Sequence, residues 1–509
     1  MKKWLLCLCA ALLCTACSPV TETPSPQPMG PSQGSSIGRY PEDGSGAETQ
    51  FGPKEESAMP VLTEQSAVAS LAAGGDLKAA IDSIGGNGFV LIEQGEHRLT
   101  ADVTVPADTV LLFARGAMLC PDKGVTLTVS GFVQGANEQL FGGEGTVVGA
   151  IRNEGVPHWF GSLDGEDDSA VMQKAVDALQ LLQLPQGTNY TFRDIVISKP
   201  IRISGVGNNQ TKVLQHGQAK TCLFDIRSSD VCIEDLRVEG DSKGTAFYFN
   251  TAQADIRRVT LYNIKVFHVE HCVSDAKSGG AHTVCDVNFV DVHVYSARAE
   301  GYYLTDFRTG IRFDGVQTQN LHVPYSVTKP GMLIEGVQEM YAADIDITGG
   351  RPQDTKAHGL VLRNCQNVTL NRSMMEYTNG HALWLDNCRN IKVEHYVLCG
   401  YNDVALRISG CEGITFNLML IVGTYFPGGD PETFPLYHPD EAHGMYLSNS
   451  RNIIFNTTAL QRCAGKGIIL ENVDGCHFNA FTSWYVRDTL LTKDDACSDI
   501  VFNAQVKDK

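Results

Sequence analysis

The sequence predicts an all-β fold, a parallel β-helix in which short strands wind into a solenoid. Three observations carry this. A segment of about ten residues recurs at regular steps through the second half of the chain. Glycine is abundant, 50 of 509 residues, while aromatics make up only 8%; that mix suits short strands and turns better than a helical bundle. Between the recurring segments the apolar residues alternate, with no helical period.

The repeat is plain when its copies are aligned. Gly359-Leu360-Val361-Leu362-Arg363-Asn364-Cys365-Gln366-Asn367-Val368 is followed by Ala382-Leu383-Trp384-Leu385-Asp386-Asn387-Cys388-Arg389-Asn390-Ile391. Further copies start at Ala405, Gly444 and Gly467, giving steps of 23, 23, 39 and 23 residues. Weaker copies start at Gly244, Gly301 and Gly331. The 39-residue step is one repeat plus an insertion of sixteen. A period of this length with two or three alternating strands marks coils that pair edge to edge at ~4.8 Å, so that equivalent residues stack. Leu362, Leu385, Ile408, Leu447 and Leu470 then form one inward ladder, and Asn367, Asn390 and Asn452 one turn ladder. Cys365, Cys388 and Cys411 also stack; the spacing allows a disulfide, but buried thiols are the favoured reading.

Upstream, residues 76–84 read as a short helix, followed by strands at Phe89–Ile92, Val103–Val105, Val110–Phe113 and Val125–Val129. These make a small β-helical module over 66–155, ahead of a main β-helix over 156–509. At the junction, Asp164-Gly165-Glu166-Asp167-Asp168-Ser169 precedes the amphipathic run Ala170–Leu179. Acidic and hydroxyl residues there are expected to cap a helix, which would cover the end of a coil stack.

Trp159-Phe160-Gly161, Asp164-Gly165, Asp167-Asp168-Ser169, the helix and Leu184-Pro185-Gln186-Gly187 together resemble the N-terminal signature of the pectate-lyase-like superfamily. The acidic loop is about two residues shorter than in that family. The resemblance spans roughly residues 75–505 and implies a right-handed parallel β-helix. It does not select an activity, because the superfamily holds hydrolases, lyases, epimerases, tailspikes and binding proteins.

The N-terminus carries Lys2 and Lys3, an apolar run from Trp4 to Leu13, and Cys14-Thr15-Ala16-Cys17. This is an export signal, too short to span a bilayer. Its small residues resemble the lipobox of bacterial lipoproteins, which implies cleavage after residue 17's neighbour Ala16 and acylation of Cys17; without acylation the segment reads as an ordinary secretory signal. Ser18 after the cysteine is compatible, in that family, with the outer membrane. Residues 18–65, rich in Pro, Ser, Gly and Thr, form the expected tether. The lipid would then be the sole membrane contact. Hydrophobic residues at 43% exclude wholesale disorder, and a net charge of −18 without a basic footprint excludes a nucleic-acid partner. Twelve cysteines follow Cys17, at spacings that match no zinc site.

In a solenoid, function should lie on a stripe of outward residues from successive coils. The position before each repeat reads Glu300, Pro330, His358, His381, Val404, His443 and Lys466. Two positions further back stand Lys356, Asn379, Asn402 and Glu441. The outward strand position reads Tyr303, Leu333, Val361, Trp384, Arg407, Tyr446 and Ile469, with Arg363, Asp386 and Glu471 beside it. Histidines, carboxylates, a guanidinium and aromatic rings thus converge over about five coils, roughly 20–25 Å. The stripe fits a polysaccharide or oligosaccharide: rings stack on sugars, while carboxylates and Arg bind hydroxyls or uronates.

The sixteen-residue insertion adds Asp430, Glu432, Tyr437, His438, Asp440, Glu441 and His443 to this rim. Asp403, His443, His381 and Glu441 are the candidate acid–base residues. Trp384, Arg407, Tyr446, Asn379, His358 and Tyr437 are the candidate sugar-binding residues. The acidic loop could equally ligate Ca²⁺, the one cofactor left open; it also reads as a plain solvated loop.

These positions resemble the catalytic coils of polygalacturonases, which carry Asn-Thr-Asp, Asp-Asp, Gly-His-Gly and Arg-Ile-Lys. Here they read Asn379-Gly380-His381, Asp403-Val404, Ala442-His443-Gly444 and Ile469-Leu470-Glu471. Asn379, Asp403 and His443 match; two of the three carboxylates and the Arg/Lys pair do not, so inverting hydrolysis by that route is not implied. The expected protein is a lipid-anchored β-helix of the cell envelope, acting on a uronate-containing or other complex glycan as lyase, hydrolase or epimerase. The other reading is a non-catalytic glycan-binding, adhesin-type or structural envelope protein.

Overall fold

The structure is a computed structural model that describes residues 52–53, 59–215, 222–279, 281–319, 329–349, 357–423 and 442–507. Cys17, Tyr437, Glu441 and the acidic residues of the insertion lie outside the described residues, as does most of the expected tether.

Strand follows strand in parallel register from Ile151 to Lys507, each pairing with its counterpart one coil later. Parallel pairing through short crossovers winds right-handed, because the twist of L-peptide strands packs back onto the sheet in that sense. The chain is therefore a right-handed parallel β-helix. The small module upstream repeats the same pattern in three short parallel sheets, and buried apolar side chains form one continuous core from Leu71 to Phe481.

Five strands carry the repeat that matters for the site: β1 (Leu360–Arg363), β2 (Leu383–Asp386), β3 (Val404–Ser409), β4 (His443–Gln461) and β5 (Ile468–Trp484). Leu362, Leu385, Ile408, Leu447 and Leu470 are partners in register across them and are all buried. The inward ladder predicted from the repeat is present.

The turns are set by asparagine. Asn367, Asn390 and Asn452 have φ of 52°, 53° and 56°, a left-handed conformation that Asn tolerates better than most residues. The Asn390 amide donates to Asn367 Oδ1 at 3.3 Å, and Gly413 takes the same turn in the intervening coil with φ of 69°. Two further amide ladders run parallel to this one. Asn387 donates to Asn364 at 2.7 Å, and Asn456 to Asn417 at 2.8 Å. Cys365, Cys388 and Cys411 are free, buried thiols. Cys388 Sγ donates to the Leu362 carbonyl at 3.3 Å and Cys411 Sγ to that of Leu385 at 3.4 Å. The neighbouring Cys365 thiol and burial, against an opposing pull from Cys411, push Cys388 up to about 12, which keeps it protonated.

The two helices are where expected: α1 (Leu77–Ser83), capped by Asp76 through Lys78 N at 2.9 Å, and α2 (Ser169–Ala178). One expectation needs correction. Asp168 occupies the N-cap position of α2, yet its side chain does not cap the helix. The carboxylate is buried and accepts instead from Thr191 N at 2.9 Å and from Asp164 N at 3.2 Å. It ties the acidic loop to the first coils, an arrangement that sequence spacing does not reveal. Met172, Ala175 and Val176 point into the core, so α2 packs at the junction between the small module and the main stack.

Lys199 sits at this junction, its Nζ donating to the Gly149 carbonyl at 2.5 Å. Burial pushes its ammonium down to about 8, against a weaker opposing pull from Asp177. In the window between about 8 and 10.5 the unfolded chain holds this proton and the folded chain does not. Stability therefore rises with pH across that window. Chemical unfolding of wild type and Lys199→Met at pH 7 and pH 10 should show the variant's relative stability decline as pH rises; an unchanged difference would mean the lysine is solvated.

Candidate functional site

The coil register places the expected residues on one flank. Val361 pairs with Trp384, Trp384 with Arg407, Arg407 with Tyr446, and Tyr446 with Ile469. The column before the strands is equally continuous: Gly359 N donates to the His381 carbonyl at 2.9 Å, and Val404 pairs with His443. His381 and His443 therefore lie on the same side, two coils or ~10 Å apart.

At the centre, His358 and His381 stack with ring centroids 4.7 Å apart and planes 24° from parallel. The Trp384 indole meets both edge to face, at 5.2 and 5.4 Å. His381 Nδ1 lies 3.6 Å from Asp403 Oδ2, with 14% and 23% of the two side chains exposed. The indole N–H donates to Ser409 Oγ at 3.1 Å, and Ser409 donates to Asp386 Oδ1 at 3.2 Å. Arg363 Nε holds the other Asp386 oxygen at 3.0 Å. This relay locks Trp384 and, through it, the two imidazoles.

The histidines are not equivalent, although the repeat makes them look so. His381 N donates to His358 Nδ1 at 2.9 Å, and Lys466 N donates to His443 Nδ1 at 3.0 Å. A nitrogen that accepts cannot carry the proton, so in neutral His358 and His443 it sits on Nε2. Both rings serve as acceptors for the next coil's backbone. His381 differs: its Nδ1 faces a carboxylate, which favours a proton there and leaves the lone pair on Nε2. Of the three, His381 has the environment of a base.

One coil on, the Arg407 guanidinium lies 3.5 Å from the centroid of the Tyr446 ring, with an Nη bonding Ser448 Oγ at 3.4 Å. The Tyr446 hydroxyl donates to Glu471. Partial burial and that carboxylate hold the phenol above its ordinary value. Asn379 Oδ1 accepts from Asn402 at 3.1 Å.

Two expectations change here. Val361, assigned an outward position, is buried, so it interrupts the outward column between Tyr303 and Trp384. Trp384 itself is packed against two imidazoles with Arg363 near its ring (5.8 Å); it backs the histidines as much as it presents a face to a sugar. Ser409 and Ser448 were missed, because a serine in a strand carries no signal until its register partner is known. Among the described residues no group of three or more His, Cys, Asp or Glu is placed to hold a metal ion.

No family model matches the chain, and no curated protein does. Among solved structures it is similar to the A-module of a mannuronan C-5 epimerase from Azotobacter vinelandii, at 14% identity and TM-score 0.46, covering 70% of this chain and all of that one. It is also similar to the Agl-KA catalytic domain, at 14% identity and TM-score 0.34, covering 70% and 68%. A third is the enzymatically active domain of bacteriophage CBA120 tailspike protein 2, at 13% identity and TM-score 0.30; the match covers 65% of this chain and 43% of that domain. Likenesses this distant leave the chemistry to the site itself.

Proposed function

We propose that this protein acts on a uronate-containing polysaccharide, abstracting the proton next to the sugar carboxylate, as a lyase or epimerase does. One observation carries the reading: His381 is backed by Asp403 at 3.6 Å within a cluster that also holds the Arg407 cation on the neighbouring coil. Hydrolysis asks for two cooperating carboxylates. Among the described residues, Asp386 is held by Arg363 and Ser409, and Glu471 by Tyr446, while Asp403 stands beside His381.

The chemistry follows from these groups. His381 Nε2 takes the carbon-bound proton, and Asp403 stabilises the imidazolium that forms. The C–H electron pair moves onto the uronate carboxylate, whose added charge Arg407 offsets. The pair then either expels the oxygen at the neighbouring carbon, giving an unsaturated end, or recaptures a proton from the opposite face. We further propose that the chain is exported and held by acylated Cys17 at the outer membrane, tethered by residues 18–65.

The test is incubation with polygalacturonate, alginate and neutral glucans, with and without Ca²⁺. Unsaturated uronate ends or inverted uronate centres are expected from an acidic polymer. Reducing ends without unsaturation would replace this reading with hydrolysis, and retention without any product would replace it with binding.

A further inference from the structure

The column that carries His381 extends further towards the N-terminus than its regular repeats. His271 pairs with Thr245, and Cys272 N donates to the Gly301 carbonyl at 2.9 Å, which puts His271 directly above Glu300. The same register leads from Glu300 through Pro330 and His358 to His381. His271 is thus four coils from His381, ~19 Å along the same flank.

Around it stands a second cluster of ionisable groups. His271 Nδ1 lies 3.6 Å from Glu300 Oε2, the same separation as in the His381–Asp403 pair, and Lys329 Nζ lies 3.9 Å from Glu300 Oε1. The Glu300 side chain is only 5% exposed. Burying a carboxylate is costly unless it is paired. His271 Nδ1 also lies 2.9 Å from the Glu300 carbonyl oxygen. A carbonyl only accepts, so Nδ1 carries the proton and the lone pair is on Nε2. This is the opposite tautomer to His358 and His443. The Tyr303 ring lies 5.9 Å from the imidazole, with Lys277 Nζ 4.1 Å from its centroid.

We propose that His271, Glu300, Tyr303 and Lys277 form a second proton-transfer site for an anionic sugar, on the same flank as His381. His271 is the base, Glu300 its positioning residue. Lys277 and Lys329 offset the charge of the sugar carboxylate, and the Tyr303 hydroxyl supplies the proton that returns to carbon or leaves with the expelled oxygen. The inference rests on the uronate reading above and adds that a long polymer meets two centres rather than one.

Exchange of the sugar C–H with solvent deuterium, and product formation, on polygalacturonate and alginate test it in a chain whose His381 is already replaced by Gln, so that this centre alone acts. In His271→Gln both should fall by about 10²-fold or more, with retention of the polymer unchanged. Tyr303→Phe, which removes a single oxygen, should slow product formation about 10-fold or more. Glu300→Gln should lower kcat with KM kept, and Glu300→Asp should restore much of it. Rates in both His271→Gln and Tyr303→Phe equal to those of the His381→Gln parent, or no exchange by that parent where the wild type is active, would overturn this site and leave the His381 reading standing. No exchange by the wild type on either polymer would overturn both.

Discussion

Replacing His381 by Gln in a chain whose His271 is already Gln is expected to lower the rate of product formation on a uronate polymer by about 10²- to 10⁴-fold, the usual contribution of a positioned acid–base group. Glutamine keeps much of the volume and polarity, so the stack with His358 and the Trp384 contact lose little, but it cannot take a proton. Retention of the polymer should persist, because Arg407 and Tyr446 remain. Asp403→Asn should cost less, since the amide can still orient Nδ1–H while failing to stabilise the imidazolium. His443→Gln is the internal control. The amide oxygen can accept from Lys466 N in place of Nδ1, so activity should change by less than about 10-fold. Initial rates for the three variants decide the matter. A full rate in His381→Gln, or a larger loss in His443→Gln, would remove His381 from the chemistry.

The second large effect is structural. Phe416, Phe455 and Phe478 stack in the core with centroids 4.7 Å apart at both steps and planes 5° and 1° from parallel. All three are fully buried. Phe455→Ala should destabilise by about 3–5 kcal/mol, through lost transfer energy and the cavity left between two rings that cannot close onto each other. A solenoid is held by contacts between neighbouring coils. Removing the middle ring weakens two of these at once, and the coils beyond β4 should unfold first. Urea unfolding should show a lower midpoint and a separate early transition, with amide exchange fastest after about residue 456. A loss below ~1 kcal/mol would mean that the coils repack around the gap.

Much of this architecture is legible in the chain itself because a solenoid turns sequence period into spatial period. Leu362 and Leu385 can be placed in one ladder from their 23-residue spacing alone, and the same arithmetic puts His358, His381 and His443 on one flank. It fails where loops change length. Glu300 and Pro330 join the column through the weaker copies at Gly301 and Gly331, but His271, 29 residues before Glu300, is hidden until strand pairing sets the register. Asp168 shows a different failure: its cap position is correct, but a buried carboxylate bonds to whichever amides reach it, and Thr191 N comes from 23 residues away.

The sequence by itself determined which residues share a ladder and which ladder faces the core, since both depend only on alternation and repeat length. Tertiary structure decided what each ladder member does. Three histidines at equivalent positions acquire two different proton placements because one ring faces Asp403 while the others meet a backbone N–H. That distinction rests on hydrogen-bond donors and acceptors supplied by adjacent coils, within about 3–4 Å, and no periodicity encodes it.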